Sequence, residues 1–319
     1  MIVTVTANPS IDVTLSTSDF AIGEVNRAHD VRRDPAGKGV NVARALARNG
    51  VAATAVYPAD ASTGFDLSAM LEAAGVRSAS VAIARPIRTN ITVVDDHTGR
   101  TTKINEPGPV VTAEEARALA ELISEQVSAS PRWLVACGSV PPGLGADFYP
   151  ALGRLAQHVG VPLAVDTSGA PLTAIVAAGT ATLVKPNLEE LEELLGRSLT
   201  TVGDAVTGAR TLLQLPDARA LVSLGEHGAL LVTAHASWWA GAPAVVPLST
   251  VGAGDSTLAG YLSSVEATEA ERLATAVAWG TAAVQLPGSE APGPNSLRLD
   301  DVIVLENPEP HLPIGELSA

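Results

Sequence analysis

The chain has 319 residues, 46% of them hydrophobic, and its 20 basic against 34 acidic side chains leave a formal charge of −14. That size and apolar content allow a full core in one large domain or two smaller ones and exclude disorder as the main state. The acidic balance argues against a general nucleic-acid or anionic-membrane binder, whereas a small anionic ligand needs only a local cationic cluster. One cysteine, Cys137, excludes an internal disulfide framework and a cysteine-rich zinc site, and its place after an apolar run predicts a buried thiol. No apolar run approaches the roughly 18 residues that cross a membrane. The opening MIVTVTANPSID lacks a basic leader and meets Asp12 early, unlike a secretory signal. The expectation is a soluble protein of a reducing compartment, the cytoplasm.

Val3 and Val5 followed by Asn8-Pro9 predict a first strand closed by a turn. The run GVNVARALAR, Gly39–Arg48, has helical spacing with Val42, Ala45 and Leu46 on one side. A strand over Val51–Tyr57 and a helix over Ser62–Ala73 follow, and Thr112 with Glu115 forms a capping box opening a helix to about Val127. Further strands are expected at Trp133–Ala136, Val161–Asp166, Thr182–Val184, Ala220–Leu224, Leu230–Thr233 and Ala244–Val246. Helices are expected over Phe148–Val159, after Lys185-Pro-Asn187 to Leu195, and near Asp204–Leu213, Gly254–Val265 and Thr268–Val284. Apolar strands alternating with helices predict an α/β fold with a largely parallel sheet covered on both faces. Two stretches break that rhythm. Val13–Leu15 and Val25–Val31 are strand-like with no helix between them, and Thr89–Asp95 with Thr101–Asn105 predicts a hairpin turning at Asp96–Gly99. They predict a small antiparallel sheet inserted into the body, placed to act as a lid.

The strongest chemical signal is Ser249-Thr-Val-Gly-Ala-Gly-Asp255-Ser256, a glycine turn before a helix. Gly252 and Gly254 let successive N–H groups converge, and the helix start adds partial positive charge, which suits a phosphoryl group. Asp255 beside such an anion hole is either an ordinary helix cap or a group that handles a proton. The spacing is neither a Walker A motif nor a dinucleotide fingerprint. Gly37-Lys38-Gly39 at another helix start makes a second anion site with a full charge. Lysine occurs only at Lys38, Lys103 and Lys185, so arginine supplies the other 20 − 3 = 17 basic residues. Lysine is thus absent from the predicted exposed helix faces and reserved for the glycine turn, the inserted sheet and Lys185-Pro-Asn187. Asn187 and Glu190 have capping-box spacing, which is compatible with Glu190 near a hydrated magnesium ion and Lys185 and Asn187 near a nucleotide phosphate. The six histidines show no zinc spacing, and Trp238-Trp239 suits packing better than a stacking platform.

Taken in order, the motifs resemble a ribokinase-family carbohydrate kinase of the phosphofructokinase B type, over nearly the whole chain. They are Ala7-Asn-Pro-Ser-Ile-Asp12, Gly37-Lys-Gly-Val-Asn-Val-Ala43, Thr101-Thr-Lys-Ile-Asn-Glu-Pro-Gly108 and Gly138-Ser-Val-Pro-Pro-Gly143, then Lys185-Pro-Asn187 with Glu190, Ser223-Leu-Gly225 with Gly228, and Thr250-Val-Gly-Ala-Gly-Asp-Ser256. Asn8-Pro-Ser-Ile-Asp12 and Thr102-Lys-Ile-Asn-Glu-Pro-Gly108 look most like 1-phosphofructokinases, with tagatose-6-phosphate kinases next; Ser10 stands where that group usually has alanine.

The resemblance implies a ribokinase-like three-layer sandwich with a mostly parallel central sheet and a small antiparallel β lid. It implies one kinase domain over 1–319, with lid segments at about 12–31 and 88–106. It implies ATP-dependent phosphorylation of fructose 1-phosphate to fructose 1,6-bisphosphate, with Mg2+ accompanying ATP. Asp255 would be the general base, and Gly252, Ala253 and Gly254 the anion hole. Asp12, Gly37, Lys38, Gly39, Asn41, Arg88, Lys103 and Ser139 would bind the sugar phosphate, Arg88 gripping its existing phosphate. Lys185, Asn187, Ser223, Gly225 and Gly228 would line the ATP site, and Glu190 would order the metal. Tagatose 6-phosphate and fructose 6-phosphate are the alternative acceptors, with a nucleoside less favoured given Arg88 and Lys103. A non-catalytic sensor on the same scaffold is the alternative of another class. A homodimer through the lid sheet is expected as well, since exposed strands tend to pair, and neither nucleic acid nor membrane is expected as a partner.

Overall fold

The computed structural model describes residues 1–264 and 266–319. Its elements begin with β1 (Ile2–Thr6), β2 (Ser10–Thr17), β3 (Asp30–Ala36), α1 (Lys38–Arg48), β4 (Ala53–Ala59), α2 (Thr63–Ala73) and β5 (Arg77–Ala82). There follow β6 (Arg88–Asp95), β7 (Arg100–Ile104), α3 (Ala113–Ser128), β8 (Trp133–Cys137), α4 (Phe148–Val159), β9 (Leu163–Asp166), α5 (Gly169–Ala178), β10 (Leu183–Val184) and α6 (Leu188–Leu195). The last are α7 (Val202–Arg210), β11 (Arg219–Ser223), β12 (Ala229–Val232), β13 (Ser237–Gly241), α8 (Ala253–Ser263), α9 (Glu269–Val284) and β14 (Ile303–Glu306).

Every residue of β1, β8 and β9 is buried, as in strands covered on both faces. They lie inside a ten-stranded sheet of order β14-β13-β12-β11-β10-β9-β8-β1-β4-β5. The run from β11 to β5 is parallel, and β12, β13 and β14 add an antiparallel edge. The period of two sorts the side chains: Trp133, Val135 and Cys137 of β8 pack under α1, α8 and α9, while Leu134 and Ala136 pack under α3 and α4. Helix layers on both faces complete a three-layer α/β fold. Leaving β1 the chain builds outward through β4 and β5, then returns through β8 to the other side of β1. The strand order therefore reverses between β1 and β8, where a crevice opens at the strands' carboxyl ends.

A separate four-stranded sheet of order β3-β2-β6-β7 stands over this crevice. Its outer pairs, β2–β3 and β6–β7, are antiparallel, and β2 joins β6 in parallel. Register puts Ser10 beside Arg88 and Asp12 beside Asn90, so these four polar side chains share one face.

Most expected elements are present within a residue or two, including the Thr112/Glu115 capping box. The strand expected at Ala244–Val246 is irregular, with Val246 85% exposed. Pro243 and Pro247 flank it and deny it ladder donors. The strand there is β13, in which Trp239 is buried and its indole Nε1 donates to the His227 carbonyl at 2.8 Å. The strand expected at Val25–Val31 begins only at Asp30, and Val25 lies exposed in the loop before it. The expected helix end at Val265 lies outside the described residues. Four elements lacked a sequence signal: β13, the edge strands β5 and β14, and the short helix α5.

Candidate active site

A cavity of about 400 Å³ fills the crevice between the large sheet and the small one. Its floor is a buried ion network. Asp166 ends β9 and is 1% exposed; Lys38 Nζ donates to its Oδ1 at 2.7 Å, and Lys185 Nζ lies 3.0 Å from its Oδ2. Lys38 begins α1, and Lys185 follows the two-residue strand β10. Burial works to raise the Asp166 carboxyl, but the two ammonium groups on it hold it below the usual carboxylate range. The same carboxylate raises the Lys38 ammonium further above its ordinary value.

Helix α8 starts at the cavity without a side-chain cap. Its first turn therefore keeps N–H groups without intrahelical acceptors, at the positive end of the helix dipole. Gly252 precedes that turn with φ +78°, a left-handed conformation that glycine adopts without strain. The lysine also reaches this turn: a Cβ built on Gly254 would lie 3.3 Å from Lys185 Nζ. Asp255 is the third residue of the helix and does not cap it. Its Oδ2 accepts from Asn41 Nδ2 at 2.9 Å, a bond that ties α8 to α1. Burial first, and the nearby Asp166 charge second, push the Asp255 carboxyl up to about 6, while Lys38, Asn41 and Lys185 pull the other way. A carboxylate in that range can take up and release a proton near neutral pH.

Helix α1 approaches β1 closely enough that only glycine fits at its second position. A Cβ on Gly39 would lie 2.5 Å from Thr6 Oγ1 and 2.8 Å from the Val5 carbonyl oxygen. The other end of the cavity holds a capping box. Asn187 caps α6 by accepting from the Glu190 N–H, and Glu190 Oε2 accepts from the Asn187 N–H at 2.8 Å. On the lid side, Asn90 Nδ2 donates to Asp12 Oδ1 at 2.9 Å and to Ser10 Oγ at 3.1 Å. Arg88 Nη1 donates to the Glu106 carbonyl at 3.2 Å, and its buried Nε has no hydrogen-bond partner among the described residues.

A family model described as pfkB family carbohydrate kinase matches residues 3–295. The chain belongs to the pfkB family. It is 36% identical over 285 residues to a 1-phosphofructokinase of Rhodobacter capsulatus, covering 88% of this chain and 89% of that one. It is 38% identical over 260 residues to an ATP-dependent 6-phosphofructokinase isozyme 2 of Mycobacterium tuberculosis, covering 81% of this chain and 76% of that one. The crystal structure of phosphofructokinase-2 from Escherichia coli in complex with potassium superposes with a TM-score of 0.86 at 34% identity, over 92% of this chain and 96% of that one. These relations make the chain an ATP-dependent carbohydrate kinase.

In this pfkB kinase the cavity brings together Asp12, Gly37, Lys38, Asn41, Arg88, Lys185, Asn187, Glu190, Ser223, Gly252, Gly254 and Asp255. Ala253 belongs to the same turn through its backbone. Gly39 stands behind the cavity, packed on β1. Ser139 also stands outside it: its hydroxyl accepts from Asn8 Nδ2, which in turn donates to the Pro107 carbonyl, so three of the sequence motifs meet at Asn8. Lys103 does not line the cavity; it is exposed on β7, an edge strand of the lid. Gly225 and Gly228 bracket a turn beyond Ser223 and stay off the cavity wall. Asp166, Asn90 and Ser10 line the cavity although no role was expected of them. Asp166 had a readable signal, since it ends a parallel strand where such folds place their ligands. Cys137 is buried, and burial raises its thiol, as in an inert core cysteine. No helix among the described residues is long and apolar enough to cross a membrane.

Proposed function

We propose that this kinase transfers the γ-phosphoryl group of ATP to fructose 1-phosphate, giving fructose 1,6-bisphosphate, with Asp255 as the general base. The observation that carries the reading is the pairing of a buried carboxylate, pushed up to about 6, with the uncapped first turn of the same helix. A sugar hydroxyl between them would give its proton to Asp255 while its oxygen attacks. The N–H groups around Gly252, Ala253 and Gly254, with Lys185 beside them, would neutralise the charge on the transferring group. Such transfer depends on in-line positioning and charge neutralisation more than on covalent chemistry.

Asp12 and Asn41 would hold sugar hydroxyls, with Gly37 and Lys38 closing on the substrate. Arg88 would grip the existing phosphate, for which its unpartnered buried Nε is fitting. Lys185, Asn187 and Ser223 would contact ATP, with Gly225 and Gly228 shaping the turn behind them. Glu190 has one oxygen committed to the Asn187 N–H, leaving the other for a metal. The described residues hold no cluster of three metal-ligating side chains, which suits a hydrated magnesium ion carried largely by nucleotide phosphates. That ion would supply charge neutralisation at the phosphates. A cytoplasmic setting is part of the same reading. A second copy of the chain is the proposed partner of the lid, whose edge strands β3 and β7 expose Val31 and Ile104.

ADP release should be measured with fructose 1-phosphate, tagatose 6-phosphate, fructose 6-phosphate and ribose. The highest kcat/KM is expected for fructose 1-phosphate. A higher value for another phosphosugar would replace the acceptor, and ligand binding without ADP release would favour the sensor.

A further inference from the structure

A second cavity, of about 360 Å³, opens at the amino ends of the parallel strands, the opposite edge of the sheet from Asp255. It is lined by Arg132, Trp133, Pro162, Thr182, Asp217, Arg219 and Arg272. We propose that it is a second anion site, taking a small phosphomonoester that also carries hydroxyl groups. This goes beyond the kinase reading and does not depend on it.

The first argument is local charge. In a chain of net charge −14, three of the seventeen arginines converge here, from β11, α9 and the loop before β8. Arg219 and Arg272 share one carboxylate. Arg219 Nε donates to Glu269 Oε1 at 2.5 Å, whereas Arg272 Nη1 lies 3.8 Å from Oε2, which already accepts from the Tyr261 hydroxyl at 2.7 Å. Among the described residues Arg132 pairs only with Glu266, whose side chain is 92% exposed. Such a surface pair is weak and dissociates readily. One guanidinium is thus under-compensated and a second is held loosely, while Asp217 on the same wall limits the positive excess, which suits a phosphomonoester that also offers a hydroxyl donor.

The second argument is preorganisation. Arg272 is 6% exposed, and its guanidinium carbon lies 3.9 Å from the Tyr261 ring centroid and 5.9 Å from that of Trp133. Its Nε donates to the Tyr261 carbonyl, and its Nη2 has no partner among the described residues. Two rings and a backbone bond hold this charge in place before any ligand arrives, so little ordering entropy remains to oppose binding. Thr182 Oγ1 accepts from the Leu163 N–H at 3.3 Å, which leaves its own hydrogen to donate. Asp217 forms no ion pair through its carboxylate among the described residues. A carboxylate beside an anion would repel a bare phosphate but can accept from a neighbouring ligand hydroxyl, hence the hydroxyl-bearing class.

The test titrates the folded kinase with inorganic phosphate and with glycerol 1-phosphate, by calorimetry. The variants are Arg132→Ala, Arg219→Ala and Asp217→Asn on this cavity and Arg88→Ala on the other. The parent should bind two ligands per chain. Arg88→Ala should weaken one of them, and Arg132→Ala or Arg219→Ala the other, by about 10–150-fold, the range for a lost charge-assisted bond. Arg132 is half exposed, so its variant keeps the fold even if Arg219→Ala does not. Glycerol 1-phosphate should bind this cavity more tightly than phosphate, and Asp217→Asn should erase the difference. Binding in the parent that stays unchanged in both Arg132→Ala and Arg219→Ala, whether one event or two, would overturn the site, whereas one event that either variant weakens would leave the site standing and remove only the Arg88 subsite. Equal affinity for the two probes would overturn the hydroxyl-bearing class.

Discussion

On the body side of the active cavity, Asp166, Lys185 and Asp255 are between 1% and 6% exposed and bonded to one another or to Asn41. On the lid side, every residue of β7 is exposed, and β2 and β6 are mostly half-buried. Both walls carry polar groups, yet only the body wall carries charges that cannot reach water. Buried charges must be paired where they stand, so the body wall is assembled before a substrate arrives. On the lid wall Asp12 and Arg88 are only half-buried, so their charges keep some contact with solvent and the lid can move without stranding them. On the proposed function, the contrast would separate a fixed reaction centre from a closing part that recognises the acceptor.

The largest effect is expected from the fixed wall. Asp255→Asn should fold normally and lose turnover by roughly 10²–10⁴, the range for removing a general base. Near-parental kcat in the folded variant would remove Asp255 from the chemistry. Because the base must be unprotonated to act, parental kcat should level off at neutral pH and fall as pH drops below about 6. Asp166→Ala comes next. It leaves Lys38 and Lys185 without their shared partner and should destabilise the chain by about 3–5 kcal/mol in urea unfolding. A loss below about 1 kcal/mol would mean that the network is dispensable.

Smaller effects belong to the lid. Arg88→Ala should raise KM for the phosphosugar by about 10–150-fold while leaving KM for ATP nearly unchanged. If KM for every sugar phosphate stayed put, a phosphate-free acceptor would be the better choice. Smallest in energy is closure itself. Hydrogen exchange across Thr89–Asn105 should slow when both ligands are bound, while β1 and β8 stay equally protected throughout. Equal exchange with and without ligands would leave the two walls equally rigid and end the contrast.

The body was far more legible in the sequence than the charge network inside it. Strand–helix alternation and four-residue capping patterns are local signals, and β1, α1, β8, α3 and α6 follow from them. Lysine scarcity was equally informative: two of the three lysines, Lys38 and Lys185, meet at one carboxylate. For that carboxylate, Asp166, the sequence offers only its place at a strand end, and the partner that would mark it, Lys38, is 128 positions away. Lys103 misled for the same reason, since scarcity reports no direction in space. The β13 strand was hidden because Ser-Trp-Trp-Ala-Gly does not alternate, while Ala-Val-Val between two prolines imitates a strand it cannot form.

The position of β1 has a consequence for the order of assembly. The earliest strand of the chain lies deep in the sheet, hydrogen-bonded to β4 on one side and to β8 on the other. Residues 2–6 cannot complete their ladder until Trp133–Cys137 has been synthesised and returned to them. At about 5–20 residues per second on a ribosome, β1 waits several seconds with one edge open, its apolar side chains half covered by whatever β4 and α1 have already provided. Such a non-local closure is slow in refolding as well. The glycines that let α1 lie close against β1 therefore also decide how well that strand is sheltered while the rest of the sheet is still being made.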